Sequence, residues 1–317
     1  MRHPLIYGIL ASLALQGLPD CAAANKAPAE QASQFDYTKS DAVPARAAAT
    51  QRKGSCCEIT EWVLTPTGNE DIEFTVVTPM PSKAQPRAQA KAKAKYPTVL
   101  WLHREGSNVT RAEFLLEAET MAAGGVASIL LELPFKKPYL FRSEGNLGDA
   151  GVIRKAVIEA RRTIDWAATQ PQFNIEKLAV VGQRYGAWAA TLLTAVDSRV
   201  DGAVLMSPPG KPSGWLQVTE QAKAKAFRDA FDKAQWPEYL VAIEPLDPEK
   251  WINYAAPAKL HFQFASSDAW VQTLEQVDLY RAASQPKSRQ MFDSDELLNE
   301  EAKKDRRVWL KRVLTGK

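Results

Sequence analysis

Apolar residues along the chain gather into short runs separated by polar stretches, and the runs are of two kinds. PTVLWLH (97–103), VASILLEL (126–133), KLAVVG (177–182), GAVLMS (202–207) and KLHFQFA (259–265) are compact and bounded by turn residues. Runs of that length predict buried strands of a parallel sheet. Ahead of them, EITEWVLT (58–65) and IEFTVVT (72–78) predict an opening hairpin. The second kind is helical. Ile153, Val157, Ala160 and Ile164 recur at helical spacing and predict an amphipathic helix over 149–169. NEEAKKDRRVWLKRVL (299–314) has carboxylates in its first turn and Lys311 and Arg312 near its end, as a helix dipole favours. Strands alternating with helices predict the α/β class, a mostly parallel central sheet with helices on both faces.

Segment 210–251 interrupts this alternation with a helical stretch, TEQAKAKAFRDAFDKAQW (219–236), and reads as a small lid insertion over a pocket. Its Trp215, Trp236, Tyr239 and Trp251 either line an apolar cavity there or pack the insertion onto the sheet.

The N-terminus follows a different pattern. Arg2, the apolar run Leu5–Leu18 and small residues at Ala22, Ala23 and Ala24 predict an export signal over 1–24. The apolar run is short of the roughly 20 residues that span a bilayer. LPDC (18–21) admits a lipoprotein anchor at Cys21, ranked second because Asp20 stands where a small residue is expected. A flexible tether is expected over 25–56 and a single domain over 57–317, in a periplasmic or secreted protein. Cys56 and Cys57 are adjacent, so they cannot staple distant segments.

Composition narrows the function classes. With 317 residues, 45% of them hydrophobic and 24% charged, the chain is ordinary globular material. A net charge of +3 is too small to make nucleic acid the main partner. No cofactor or metal is called for. The loop 83–97 carries five positive charges and no acid; its basic part, 83–95, is a solvated loop tip or a contact with an anionic envelope surface.

The candidate chemistry centres on LAVVGQRYGAWAATLLTAVD (178–197), where Gly182-x-Arg184-x-Gly186 has the spacing of a nucleophile elbow but carries arginine in place of serine. Three more stretches join it: LWLHREGS (100–107), LDPEKWINYAAPAKLHFQFASSDAWV (246–271) and FDSDELLNEEAKKDRRVWL (292–310). Together they resemble an α/β hydrolase of the dienelactone-hydrolase-like kind from about residue 58 to the C-terminus. The resemblance implies the α/β-hydrolase fold, with LWLHREGS as the oxyanion loop and Asp268 as the triad acid. Arg184 then replaces the nucleophile and Glu296, or Asp295 one residue earlier, replaces the histidine.

A guanidinium is neither a nucleophile nor deprotonatable. The chain has three histidines, His3, His103 and His261, and none follows Asp268, where the chain order Ser, Asp, His requires one. His261 reads as a hydrogen-bonded core residue. The resemblance makes His103, Arg104 and the Tyr185 amide the oxyanion-loop equivalents, and Arg184, Tyr185 and Trp215 the ligand-binding candidates. Three functions compete: a non-catalytic protein binding a small acyl or anionic ligand, an ester hydrolase using Ser107 with His103 or Ser207, and a scaffold for a partner protein. Because a buried arginine needs a counter-charge, Arg184 is expected to pair with Glu296, Asp268 or both.

Overall fold

The computed structural model describes residues 27–39, 45–53, 56–80, 95–106, 108–135 and 149–316. The export signal with Cys21, residues 83–94 of the basic loop, and Ser107 lie outside the described residues.

Among the described residues, nine strands form one sheet: β1 Ala45–Lys53, β2 Cys57–Leu64, β3 Ile72–Pro79, β4 Tyr96–Leu102, β5 Ala127–Leu131, β6 Phe173–Gln183, β7 Val200–Met206, β8 Lys259–Ala265 and β9 Lys287–Phe292. Their order is β1-β2-β3-β5-β4-β6-β7-β8-β9. Pairing is antiparallel from β1 to β3 and between β3 and β5, and parallel from β5 through β4, β6, β7 and β8 to β9. The helices are α1 Ala29–Ala32, α2 Leu115–Ala123, α3 Asp149–Thr169, α4 Tyr185–Val196, α5 Pro212–Val218, α6 Ala222–Ala230, α7 Gln235–Ile243, α8 Thr273–Ala282 and α9 Glu300–Thr315.

Side-chain alternation along each strand feeds two cores. On one face Leu100, Leu102, Ile129, Leu131 and Val180 pack with Ile153, Val157 and Ile164 of α3 and with Trp188 and Leu192 of α4. On the other, Val99, Trp101, Leu130 and Val181 pack with Ala118 and Met121 of α2 and Leu310 of α9. This is the α/β-hydrolase fold: a mixed, mostly parallel sheet with helices on both faces. Strand C-termini converge where β4, β6, β7 and β8 end, the edge at which open α/β sheets hold their sites.

Two expectations are corrected. The tether over 25–56 gives way to ordered structure at 29–35 and 45–53: Phe35 is fully buried, 5.3 Å from the Trp251 ring, and β1 extends the sheet. The alternation that marks a strand was absent because β1 is an edge strand whose side chains are almost all exposed; backbone pairing with β2 defines it. The helical stretch over 219–236 is two helices. Phe231, in extended conformation, ends α6, and Asp232 starts the next turn, its Oδ1 accepting from Ala234 N at 2.7 Å and its carbonyl from Trp236 N. Among the described residues, no helix is long and apolar enough to cross a membrane.

Candidate functional site

Arg184 stands between β6 and α4 at φ 52° and ψ −110°, a backbone conformation that side-chain-bearing residues rarely adopt. Its neighbours force the turn. A Cβ on Gly182 would collide with the Gly186 carbonyl, and one on Gly186 with the carbonyl of Leu102 on β4. Both glycines are required for α4 to leave the sheet so closely. The geometry is that of a sharp strand-to-helix elbow, with a guanidinium at its tip.

The partner of that guanidinium was not anticipated. Glu105, in the loop after β4, places Oε1 2.5 Å from Arg184 Nη2 and 2.7 Å from Nε. Its second oxygen, Oε2, accepts the Tyr185 amide at 3.4 Å. One carboxylate therefore sits between the arginine and the first amide of α4. Both side chains are 9% exposed. Burial works against the Arg184 charge, and Glu105 more than offsets it, so the group holds its proton more firmly than an ordinary arginine.

The two expected partners are more distant. Arg184 Nη1 lies 3.8 Å from Glu296 Oε1, an ion pair without a hydrogen bond. Asp268 forms no ion pair with Arg184 within 4.0 Å and acts on it only through its field. The Asp268 Oδ1 accepts from the Trp270 and Val271 amides, both at 2.9 Å, while Oδ2 is buried without a hydrogen bond. Burial pushes this carboxyl above the usual range, against those two amides and the Arg184 charge. Gln183 Nε2 donates to the carbonyls of Glu296 and Leu297, which fixes the loop after β9 against the elbow.

The remaining candidates sort by hydrogen bonding. His103 Nε2 accepts from the Leu133 amide at 2.9 Å, so Nδ1 carries the proton and donates to the Arg104 carbonyl at 2.7 Å. Both nitrogens are engaged and burial holds its pKa low, so His103 braces the loop and is no base for Ser107. Arg104 turns away to Glu113 at 2.9 Å. His261 bonds Ser288 and Asp305 and stacks on Trp309, a core residue as its sequence context suggested. Ser207 is fully buried at φ 42°, and its Oγ makes no close hydrogen bond but lies beside the Asp268 carboxyl, which it helps to keep charged.

Beside Arg184 a small pocket open to solvent lies between α5 and the loop leading to α8. Arg184, Tyr185, Ser207 and Glu275 supply its polar wall, and Trp188, Trp215 and Trp270 are prominent in its apolar wall. The Arg184 guanidinium lies over the Trp270 ring, 4.8 Å from its centre. Trp215 lies in this wall. Trp236 and Tyr239 instead stack on each other at 5.5 Å beside Phe227 and Phe231, and Trp251 is buried with Nε1 on the Pro245 carbonyl. Those three pack the insertion onto the sheet. Among the described residues, no cluster of three or more His, Cys, Asp or Glu side chains suits a metal ion.

Comparison with known proteins yields the fold. No family model matches the chain, and no curated protein does. Among solved structures, acetyl xylan esterase 1 from Thermoanaerobacterium sp. JW/SL YS485 is similar over 90% of this chain and 93% of its own, with a TM-score of 0.73 and 12% identity. An acetyl xylan esterase from Paenibacillus sp. R4 covers 90% and 92% at TM-score 0.68 and 14% identity. A glucuronoyl esterase from Solibacter usitatus covers 89% and 90% at TM-score 0.60 and 11% identity.

Proposed function

We propose that this chain is a non-catalytic α/β-hydrolase-fold protein, exported through residues 1–24, that keeps a pocket for a small acyl-type ligand. The observation that carries the reading is the Glu105 carboxylate held between Arg184 and the Tyr185 amide. Acyl transfer on this fold needs a nucleophile at the elbow, a base to take its proton, and amides open to a developing oxyanion. Here the elbow carries a guanidinium, His103 has both nitrogens bonded, and the Tyr185 amide already faces a negative oxygen. A substrate oxyanion would have to displace Glu105 and meet its charge.

An acyl-type ligand is suggested by the mainly apolar pocket beside the old elbow and by structural neighbours whose names are esterases. The test is the mature protein with a fluorophosphonate probe and short acyl esters, alongside a thermal-shift panel of small ligands. No labelling, background turnover and a ligand-dependent shift support the reading. Labelling of Ser107 or Ser207, or turnover above the heat-denatured control, overturns it in favour of an ester hydrolase with displaced groups.

A further inference from the structure

We infer that the pocket beside Arg184 selects an uncharged aromatic compound carrying a carbonyl oxygen and turns away the corresponding carboxylate. The inference rests on the reading above, that the pocket is kept for binding.

Charge comes first. An arginine in a pocket suggests an anion site, but this one is already satisfied by a carboxylate 2.5 Å away. Three further carboxyl groups surround it: Glu296 at 3.8 Å, Asp268 within its field, and Glu275 in the pocket wall. Glu275 accepts from the Gly210 and Lys211 amides at 2.7 and 2.9 Å, and burial still pushes its pKa up, as it does for Asp268. A bound anion would sit beside Asp268 and Glu275, two carboxyls that already resist ionisation. The Lys211 side chain nearby is exposed and offers little compensation.

Unsatisfied polar atoms set the second requirement. Arg184 Nη1 and Ser207 Oγ belong to residues that line the pocket; Nη1 is buried without a hydrogen bond, and the Ser207 hydroxyl has no close one, with only the Asp268 carboxyl beside it. Buried donors left this way favour a ligand that satisfies them and penalise one that lacks the acceptor. A carbonyl oxygen accepts from both kinds of donor and brings no charge. Trp188, Trp215, Trp270, Leu216 and Val271 make the remaining wall broad, aromatic and apolar, suited to a flat ring.

The experiment is isothermal titration of the mature protein with indole-3-carboxamide, indole-3-carboxylate and indole at pH 7.5. The carboxamide is expected to bind at least about tenfold tighter than either of the others, because the carboxylate adds charge and indole lacks the acceptor. Ser207→Ala should erode the preference for carboxamide over indole, whereas Trp215→Ala should weaken all ligands alike. Carboxylate binding equal to or tighter than carboxamide overturns the inference while leaving a binding protein in place. Equal binding of indole and carboxamide overturns the role of the two donors. If all three probes are silent for the folded protein, the retained-pocket reading falls and the inference with it. Hydrolysis of the methyl ester of the same acid instead defeats the non-catalytic reading alone.

Discussion

Glu105 and Arg184 come from loops 79 positions apart in sequence, and their side chains meet at 2.5 Å beneath the N-terminus of α4. The pair places a carboxylate against the Tyr185 amide at the start of α4. Glu105→Ala leaves a buried guanidinium with Glu296 as its nearest counter-charge, and the expected loss is about 3–5 kcal/mol of unfolding free energy. Replacing both residues with apolar ones of similar size should cost less than the single change. The vacated space would present a guanidinium and a helix amide to solvent, so acetate or formate should restore part of the stability of Glu105→Ala where equal chloride does not. Urea melts in the three salts measure both effects.

Rebuilding the triad tests the same pair from the side of chemistry. Arg184→Ser with Glu296→His supplies a nucleophile and a base, but leaves Glu105 facing the Tyr185 amide. p-Nitrophenyl acetate hydrolysis by that double variant is expected to stay near background. Adding Glu105→Gly should raise it by about 10²-fold or more, the scale on which an oxyanion donor acts. A double variant as active as the triple one would show that Glu105 does not block the site.

How far the sequence reached can be judged at these residues. Leu178–Gly182 and the glycine spacing announced the elbow, because burial and steric closeness leave marks in residue type. Asp149–Thr169 was readable for the same reason: one apolar stripe, one helix. The edge strands β1 and β9 were missed since neither buries much of its side-chain surface. Glu105 was overlooked for a different reason. It is one acid in a charged loop, and its role depends on which way the loop turns after β4. The signal was nonetheless present: a buried elbow arginine requires an acid nearby, and the oxyanion loop is the element that passes closest.

Stability should also depend on pH through two buried carboxyls remote from the elbow. Burial pushes Asp247 up to about 6, against its hydrogen bonds from Ser213, and Glu159 up to about 7, against Lys155. Their unfolded values lie near 4. Because the folded values are raised, the contribution is fully present below about pH 4 and is lost as pH rises through 6 and 7. The urea midpoint should therefore be lower at pH 8 than at pH 5 on this account. Asp247→Asn, which keeps the shape, can still accept the Ser213 amide and can donate its NH2 to Ser213 Oγ, should flatten part of the profile, by on the order of 2 kcal/mol.

The N-terminal segment contributes to the body of the protein rather than trailing from it. Phe35→Ala removes a fully buried ring that meets Trp251 edge-on, at an expected cost of about 3–5 kcal/mol. A thermal melt unchanged by that substitution would return residues 29–35 to the role of a loose leader.

The left-handed turn at Arg184 costs roughly 1–3 kcal/mol wherever it occurs outside glycine. In a hydrolase that expense is readily ascribed to the reaction, since it exposes a hydroxyl. Here it persists with no hydroxyl to expose, so its origin is architectural: a helix that starts one residue after its strand, against the neighbouring strand's carbonyls, can begin in no other way. Whatever side chain occupies position 184 inherits the same launching direction toward the mouth of the sheet. The fold thus fixes where the side chain at position 184 is presented before the residue type fixes what it can do there.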